Sequence, residues 1–165
     1  MVRMVTTELG GILVIDGLHP SLDGELARFF DELHDEPRYF GPSASTNPKP
    51  FRSLVEALRR RDGLRLAALE CGRVVGVARV DGRGELFIAV TADRRGAGIG
   101  STLGHAAVQR AACLGHRRVV LRTSRRSGAA RRVGEHLGGT VVERGRGRTE
   151  LVVESHAYQA ARPSP

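Results

Sequence analysis

The sequence predicts a mixed α/β fold, one central sheet of about six to seven strands flanked by about four helices. Three observations carry this. Short apolar, β-branched runs bounded by turn residues recur at Gly11–Ile15, Leu64–Glu70, Arg73–Val80, Glu85–Val90 and Arg117–Thr123. Helical periodicity alternates with them and is clearest from Ile99 to Leu114. A glycine-dense loop, TADRRGAGIG, joins the strand Glu85–Val90 to that helix, and a strand, helix, strand order makes the flanking strands parallel.

Taken in order, residues 1–10 are expected to be a flexible start. Gly11–Ile15 is a first strand and Asp16–Pro20 a turn. Ser21 then N-caps a helix reaching about Leu33, with Leu22, Leu26, Phe29, Phe30 and Leu33 as its apolar face. Residues 35–50, DEPRYFGPSASTNPKP, hold four prolines and continue neither helix nor strand. An irregular stretch of that length inside a compact domain points to function. Phe51–Arg60 is a second helix, facing inward through Leu54, Val55 and Leu58.

Strands Leu64–Glu70 and Arg73–Val80 follow, joined at Cys71-Gly72 by a two-residue hairpin turn. Asp81–Gly84 turns the chain into Glu85–Val90. After the loop and the long helix, Arg117–Thr123 is a strand and Ser127–Leu137 a short helix, ended by Gly138-Gly139. Thr140–Glu143 and Thr149–Glu154 close a last hairpin around RGRGR. The tail, residues 155–165, is expected to be disordered. The order is β-αα-βββ-α-β-α-ββ, and residues 11–154 form a single domain.

Composition narrows the function. No run approaches a membrane span, and the start MVRMVTTELGG shows no secretory signal, so a cytoplasmic protein without membrane partners is expected. Cys71 and Cys113 do not make a disulfide framework, and the six histidines lack metal-ligand spacing, so no metal is expected. The net charge of +8 is unevenly placed. Residues 1–62 carry 8 basic and 10 acidic groups, a balance of −2, whereas residues 63–165 carry 18 and 8, a balance of +10. All basic residues but Lys49 are arginine, as a GC-rich genome would produce; a lysine-modifying enzyme that offers itself few targets is the sharper reading.

The loop carries the chemistry. A strand feeding a glycine-rich turn and a helix N-terminus is a phosphate cradle, because backbone N–H groups and the positive end of the helix dipole converge there. Gly100 is followed by Ser101 and Thr102 with no lysine, so this is not a P-loop. The spacing of Gly96, Gly98 and Gly100 also fails the dinucleotide fingerprint G-x-G-x-x-G. It fits R-x-x-G-x-G, as Arg95, Gly98 and Gly100. With the strand before it and the helix after it, the segment resembles the acetyl-CoA loop of the GNAT N-acetyltransferase superfamily. The order of elements matches that fold over about residues 10–154. Glu85 with the following apolar strand, and YFGP at residues 39–42, resemble bacterial protein-lysine acetyltransferase-type GNAT domains.

The resemblance implies an N-acetyltransferase that moves an acetyl group from acetyl-CoA to a primary amine, with a protein lysine as the leading acceptor. A small-molecule amine is the alternative within the enzyme class, and a weakly catalytic acetyl-CoA sensor the alternative outside it. It assigns the pyrophosphate to Arg95, Gly96, Ala97, Gly98, Ile99, Gly100 and Ser101. It assigns the pantetheine arm to the strand end Ile88, Ala89 and Val90, where such strands carry a bulge. Glu85, the only acid on that strand, becomes the general base; either the apolar run beside it partly buries it and favours its protonated form, or it is a solvated glutamate at a strand start after a turn. Ser127 stands where many members have an asparagine that meets the cofactor. Ala130 fits the pattern of the last helix, but Gly134 replaces a tyrosine that commonly protonates the leaving thiolate. Ser124 or Ser127 could supply a hydroxyl instead.

Two charged stretches remain. Seven arginines and no acid lie between Arg117 and Arg132. They suit the 3′-phosphate of CoA, or a solvated face; nucleic acid is disfavoured because no aromatic residue is interleaved with them. Asp31, Glu32, Asp35 and Glu36 would make a negative wall that attracts a protonated amine. The oligomeric state is expected to be monomer or homodimer.

Overall fold

The computed structural model describes residues 2–4, 12–34, 56, 63–124, 128–144 and 148–155. Its strands are β1 (Val2–Met4), β2 (Leu13–Asp16), β3 (Leu64–Glu70), β4 (Arg73–Val80), β5 (Glu85–Val90), β6 (Arg118–Ser124), β7 (Thr140–Arg144) and β8 (Arg148–Glu154). Its helices are α1 (Asp23–His34), α2 (Ile99–Cys113) and α3 (Gly128–His136), with 3₁₀ turns at Pro20–Leu22 and Ala92–Arg94. The eight strands form one sheet in the order β1-β2-β3-β4-β5-β6-β8-β7. Among the described strands β5 and β6 are the one parallel pair, joined through α2 as the strand, helix, strand order requires.

Each face of the sheet has its own apolar layer. Leu66, Ala78, Leu86, Val119 and Leu151 pack with Ile99, Leu103, Val108 and Leu137 on the side of α2 and α3. Ala67, Val74, Val77 and Ala89 pack with Phe29, Phe30 and Leu33 of α1 on the other. Strand alternation sorts β5 between them. Leu86, Ile88 and Val90 face α2, while Phe87 and Ala89 face α1, so Glu85 belongs to the α1 face. α2 crosses β4 closely: a Cβ on Gly76 would lie 2.8 Å from Leu103 Cδ1 and 3.1 Å from Ile99 Cγ2.

Several expectations are corrected. Val2–Met4, within the expected flexible start, pairs with β2 as an edge strand and brings the strand count to eight. Ser21 does not cap α1. It lies inside the Pro20–Leu22 turn, whose cap is His19, and its N–H donates to His19 Nδ1 at 3.2 Å. The expected bulge at Ile88–Val90 is absent from the β4–β5 register, which runs evenly from Gly76↔Val90 to Val80↔Leu86. The irregularity is instead on the other side of β4: Ala68 opposes Gly76 and Leu69 opposes Val74, which leaves Val75 as the extra residue. The Val75 carbonyl is thereby taken up by the Thr91 N–H at 2.9 Å, so the bulge holds the chain where it leaves β5.

The β3–β4 hairpin turns at Cys71 and Gly72, both at positive φ (50° and 79°), as a two-residue type I′ turn requires. At the end of α3 the N–H of Gly139 bonds Gly134 O (2.8 Å) and that of Gly138 bonds Glu135 O (2.9 Å), the paired closure expected of two glycines after a helix. Of the expected helix at 51–60 only Glu56 is described, and it is helical. Residues 35–50 and the tail from 156 lie outside the described residues. Both cysteines are exposed and unbonded to one another. Among the described residues no helix is long and apolar enough to cross a membrane.

Candidate active site

The site begins where two parallel strands part. β5 and β6 pair at Glu85↔Val120 and Leu86↔Leu121, and the register ends there although β5 continues to Val90 and β6 to Ser124. From Phe87 onward β5 keeps its β4 neighbour but loses β6, so a slot opens along that edge. Ile88 packs on α2, and Ala89 and Val90 are buried, so these three side chains anchor the strand.

The loop lies at the far end of the same strand. Thr91 leads into the Ala92–Arg94 turn, Arg95 is extended, and Gly98 takes a left-handed conformation (φ 81°, ψ 1°) as the N-cap of α2. The first helical bond is Thr102 N–H to Gly98 O at 3.0 Å. The N–H groups of Gly98, Ile99, Gly100 and Ser101 therefore precede the helical ladder and point out of its positive end. Gly98 offers no capping side chain, and the first turn of α2 holds no acid to compete for those donors. A Cβ at Gly96 or Gly98 would meet nothing within 4 Å. Left-handed backbone and open space together explain both glycines, and they leave the approach that an anion needs. Ile99, buried beside Leu103, pins the helix start to the core, and Ala97 packs against the same cluster. These residues fit a pyrophosphate group.

The loop's charged neighbours are ordered by pairing. Arg94 Nε donates to Glu70 Oε2 at 2.7 Å, and the ion pair holds its guanidinium charged. Arg95 Nε reaches back to the Val90 carbonyl at 3.2 Å, fastening the loop to β5. Arg73 spans Asp93 (2.8 Å) and Glu32 (3.2 Å), which ties the loop to the last turn of α1. That guanidinium, with the Thr91 hydroxyl, holds the Asp93 carboxyl below the usual carboxylate range. Between α1 and the loop lies a cleft of ≈ 370 Å³, bounded by Glu32, Arg73, Thr91, Asp93 and Arg95. Ser101 Oγ lies 3.1 Å from His136 Nδ1 on α3, a contact between residues 35 apart that no local pattern signals. Burial, and secondarily the charge of His136, push His105 one turn further along α2 below the ordinary histidine range.

Glu85 stands five residues before Val90, about 16 Å along the strand. Its setting is the solvated one of the two expected. The side chain is 40% exposed, and its Oε2 accepts from Arg122 Nη1 at 2.8 Å. Arg122 also reaches Glu150 Oε1 at 3.3 Å. Arg122 thus pairs with the candidate base, although the sequence shows it only as one of an arginine run. Strand alternation was the available signal, since Val120 and Arg122 share a face of β6 and Val120 opposes Glu85.

Gly134 is buried, and the reason is steric. A Cβ there would lie 2.5 Å from Leu151 Cδ1 and 2.8 Å from Cδ2. Leu151 occupies the room a larger residue would need at this position, where the resemblance implies a tyrosine. Ser127 lies outside the described residues, as does the Ser124 side chain, so neither takes a described place in the site. Asp35 and Glu36 of the expected acidic wall also lie outside the described residues, and Glu32 is engaged by Arg28 and Arg73. The arginine run is broken up by ion pairs, Arg118 with Glu154, Arg122 with Glu85, and Arg131 with Glu135.

Comparison with known proteins agrees with this geometry. The family model described as Acetyltransferase (GNAT) family matches residues 26–139. A search of curated proteins gave no match. Among solved structures, the GNAT domain of S. lividans PAT is similar at TM-score 0.74 and 19% identity, over 93% of this chain and 96% of that one. A GNAT-family acetyltransferase from Streptococcus pneumoniae is similar at TM-score 0.67 and 21% identity, over 86% and 96%. The yncA protein of Salmonella typhimurium, solved with its cofactor acetyl-CoA, is similar at TM-score 0.64 and 18% identity, over 92% and 97%. The chain belongs to the GNAT family of acetyl-CoA-dependent N-acetyltransferases.

Proposed function

We propose that the chain acetylates a primary amine, with a protein lysine as the leading acceptor, and that Glu85 is its general base. The observation that carries this is the position of Glu85: on the strand that ends in the anion-binding loop, where β5 and β6 part, and on the sheet face that α1 covers. Gly98–Ser101 would hold the pyrophosphate and the edge of β5 at Ile88–Val90 the pantetheine arm, while acetyl-CoA supplies the activated thioester. An acceptor amine is protonated in water and becomes a nucleophile only after losing that proton. Glu85 takes it, and Arg122 fixes the carboxylate that does so. Free thiols at Cys71 and Cys113 suit the reducing cytoplasm.

Gly134 favours a second reading. With no phenol in the last helix, the leaving thiolate has no described proton donor, and an acetyl-CoA-binding module with little catalysis becomes the alternative. One assay separates the two. Thiol release is followed with acetyl-CoA and a panel of lysine peptides and small amines, for the native protein and Glu85→Gln. Amine-dependent release that Glu85→Gln lowers by about two orders of magnitude supports the enzyme with this base. Binding of acetyl-CoA with no release across the panel supports the sensor.

A further inference from the structure

The β3–β4 hairpin ends beside the glycine loop, and the residues that flank its turn are of opposite charge. Glu70 and Arg73 are the last cross-strand pair before Cys71-Gly72. We propose that Glu70 and Arg73 are positioning residues for acetyl-CoA: they clasp Arg94 and Asp93 of the Ala92–Arg94 turn and so hold the loop in the shape that receives the pyrophosphate. This rests on Gly96–Ser101 being the pyrophosphate site.

The two halves of the clasp are complementary. Arg94 Nε donates to Glu70 Oε2 at 2.7 Å, and Arg94 Nη2 reaches the other oxygen, Oε1, so the pair is bidentate. The Glu70 side chain is only 19% exposed, so water screens this pair less than an ordinary surface pair. Beside it, Arg73 Nη1 donates to Asp93 Oδ2 at 2.8 Å, and Arg73 Nη2 reaches Glu32 at 3.2 Å. The hairpin has its own hold on α1. The Val74 N–H donates to Glu25 Oε2 at 3.2 Å, and Arg28 Nη2 donates to the Val74 carbonyl at 2.9 Å. Polar contacts therefore run from α1 through the start of β4 to the turn that opens the loop.

The loop has need of such a hold. Gly96 and Gly98 both stand at positive φ (78° and 81°), and a Cβ on either would meet nothing within 4 Å. A stretch of that kind is ordered only against a large loss of backbone entropy. Its far end is pinned by buried Ile99. Its near end is fixed by the clasp, together with the bond from the Thr91 N–H to the Val75 carbonyl at 2.9 Å. With both ends fixed beforehand, less of the ordering falls on the cofactor, and it binds more tightly.

The test is calorimetric titration of acetyl-CoA and amide hydrogen exchange on the full chain, for the native protein, Glu70→Gln and Asp93→Asn. Charge and positioning predict opposite signs. Each variant removes a negative charge near the site of an anionic ligand, which through space tightens binding. Loss of the clasp weakens it. Binding about three- to fivefold weaker is expected in each variant, the range that partly exposed ion pairs supply. Without ligand, the hydrogen-bonded amides of Thr91 and Arg94 should exchange faster by a similar factor, while the ladder amides of β4 and β5 keep their native rates. Tighter or unchanged binding in either variant, or exchange that quickens equally along β4 and β5, would overturn the clasp. A native protein that binds no acetyl-CoA would overturn the reading of the loop on which the clasp rests.

Discussion

Gly134→Ala should destabilise the protein, although glycine to alanine inside a helix normally does the reverse. In an unconstrained helix interior the change gains about 1 kcal/mol of propensity. Here the new Cβ would lie at 2.5, 2.8 and 2.9 Å from three atoms of the Leu151 side chain. Leu151 is 0% exposed and sits in the central apolar layer, so it cannot swing into solvent. Overpacking of this kind costs about 1–3 kcal/mol. Taking about 2 against the gain of about 1 leaves a net loss of about 1 kcal/mol, a fall in Tm of roughly 2–4 °C for a chain of this size. Thermal and urea unfolding read it directly. Leu151→Val in the same chain removes a methylene from the contact and should recover part of the loss, giving a favourable coupling in a double-mutant cycle. A Gly134→Ala protein as stable as the native one, or more so, would refute the steric account and reopen Gly134 as a place for a tyrosine.

Other expectations follow from the ion pairs. The Arg28 guanidinium beside Glu25 holds its carboxyl below the usual range against the opposing effect of burial, helped by the Val74 N–H. A depressed folded pKa contributes stability that is present above the unfolded value of about 4.3 and lost as pH falls through the lower folded one. Glu25→Gln should therefore lower the Tm at neutral pH and flatten its decline on the acid side; an unchanged acid limb would contradict the pairing. Arg122→Gln should cut the rate of thiol release by about tenfold through loss of carboxylate positioning, with acetyl-CoA affinity unchanged. Equal losses in rate and affinity would place Arg122 at the cofactor instead.

Much of the fold was legible because it rests on local signals. β5 was read at its observed bounds, since its apolar run lies between a turn and a glycine loop, and the β3–β4 hairpin followed from Cys71-Gly72. The edge strand Val2–Met4 was not legible, because a three-residue strand is defined by its partner β2 and not by its own pattern. The bulge at Val75 was not legible for the same reason: it is a property of register between β3 and β4. In the site, the strand–glycine loop–helix arrangement was legible because the spacing of Gly96, Gly98 and Gly100 stands between an apolar strand and an amphipathic helix. The partnership of Glu85 with Arg122 joins residues 37 apart and needed the strand pairing. Gly134 could be seen as a departure from the family pattern, but only Leu151 explains it.

The central claim is that the backbone at Gly96–Ser101 holds the pyrophosphate of acetyl-CoA, and calorimetric titration of the native protein beside Gly98→Ala tests it most directly. The φ of 81° makes alanine strained at Gly98 by about 1–2 kcal/mol, but its Cβ meets no protein atom, so the variant should stay folded. The account predicts saturable binding by the native protein and an affinity at least tenfold lower in the folded variant, because the methyl group stands where the anion approaches. No binding by the native protein, or equal affinity in both, would contradict it.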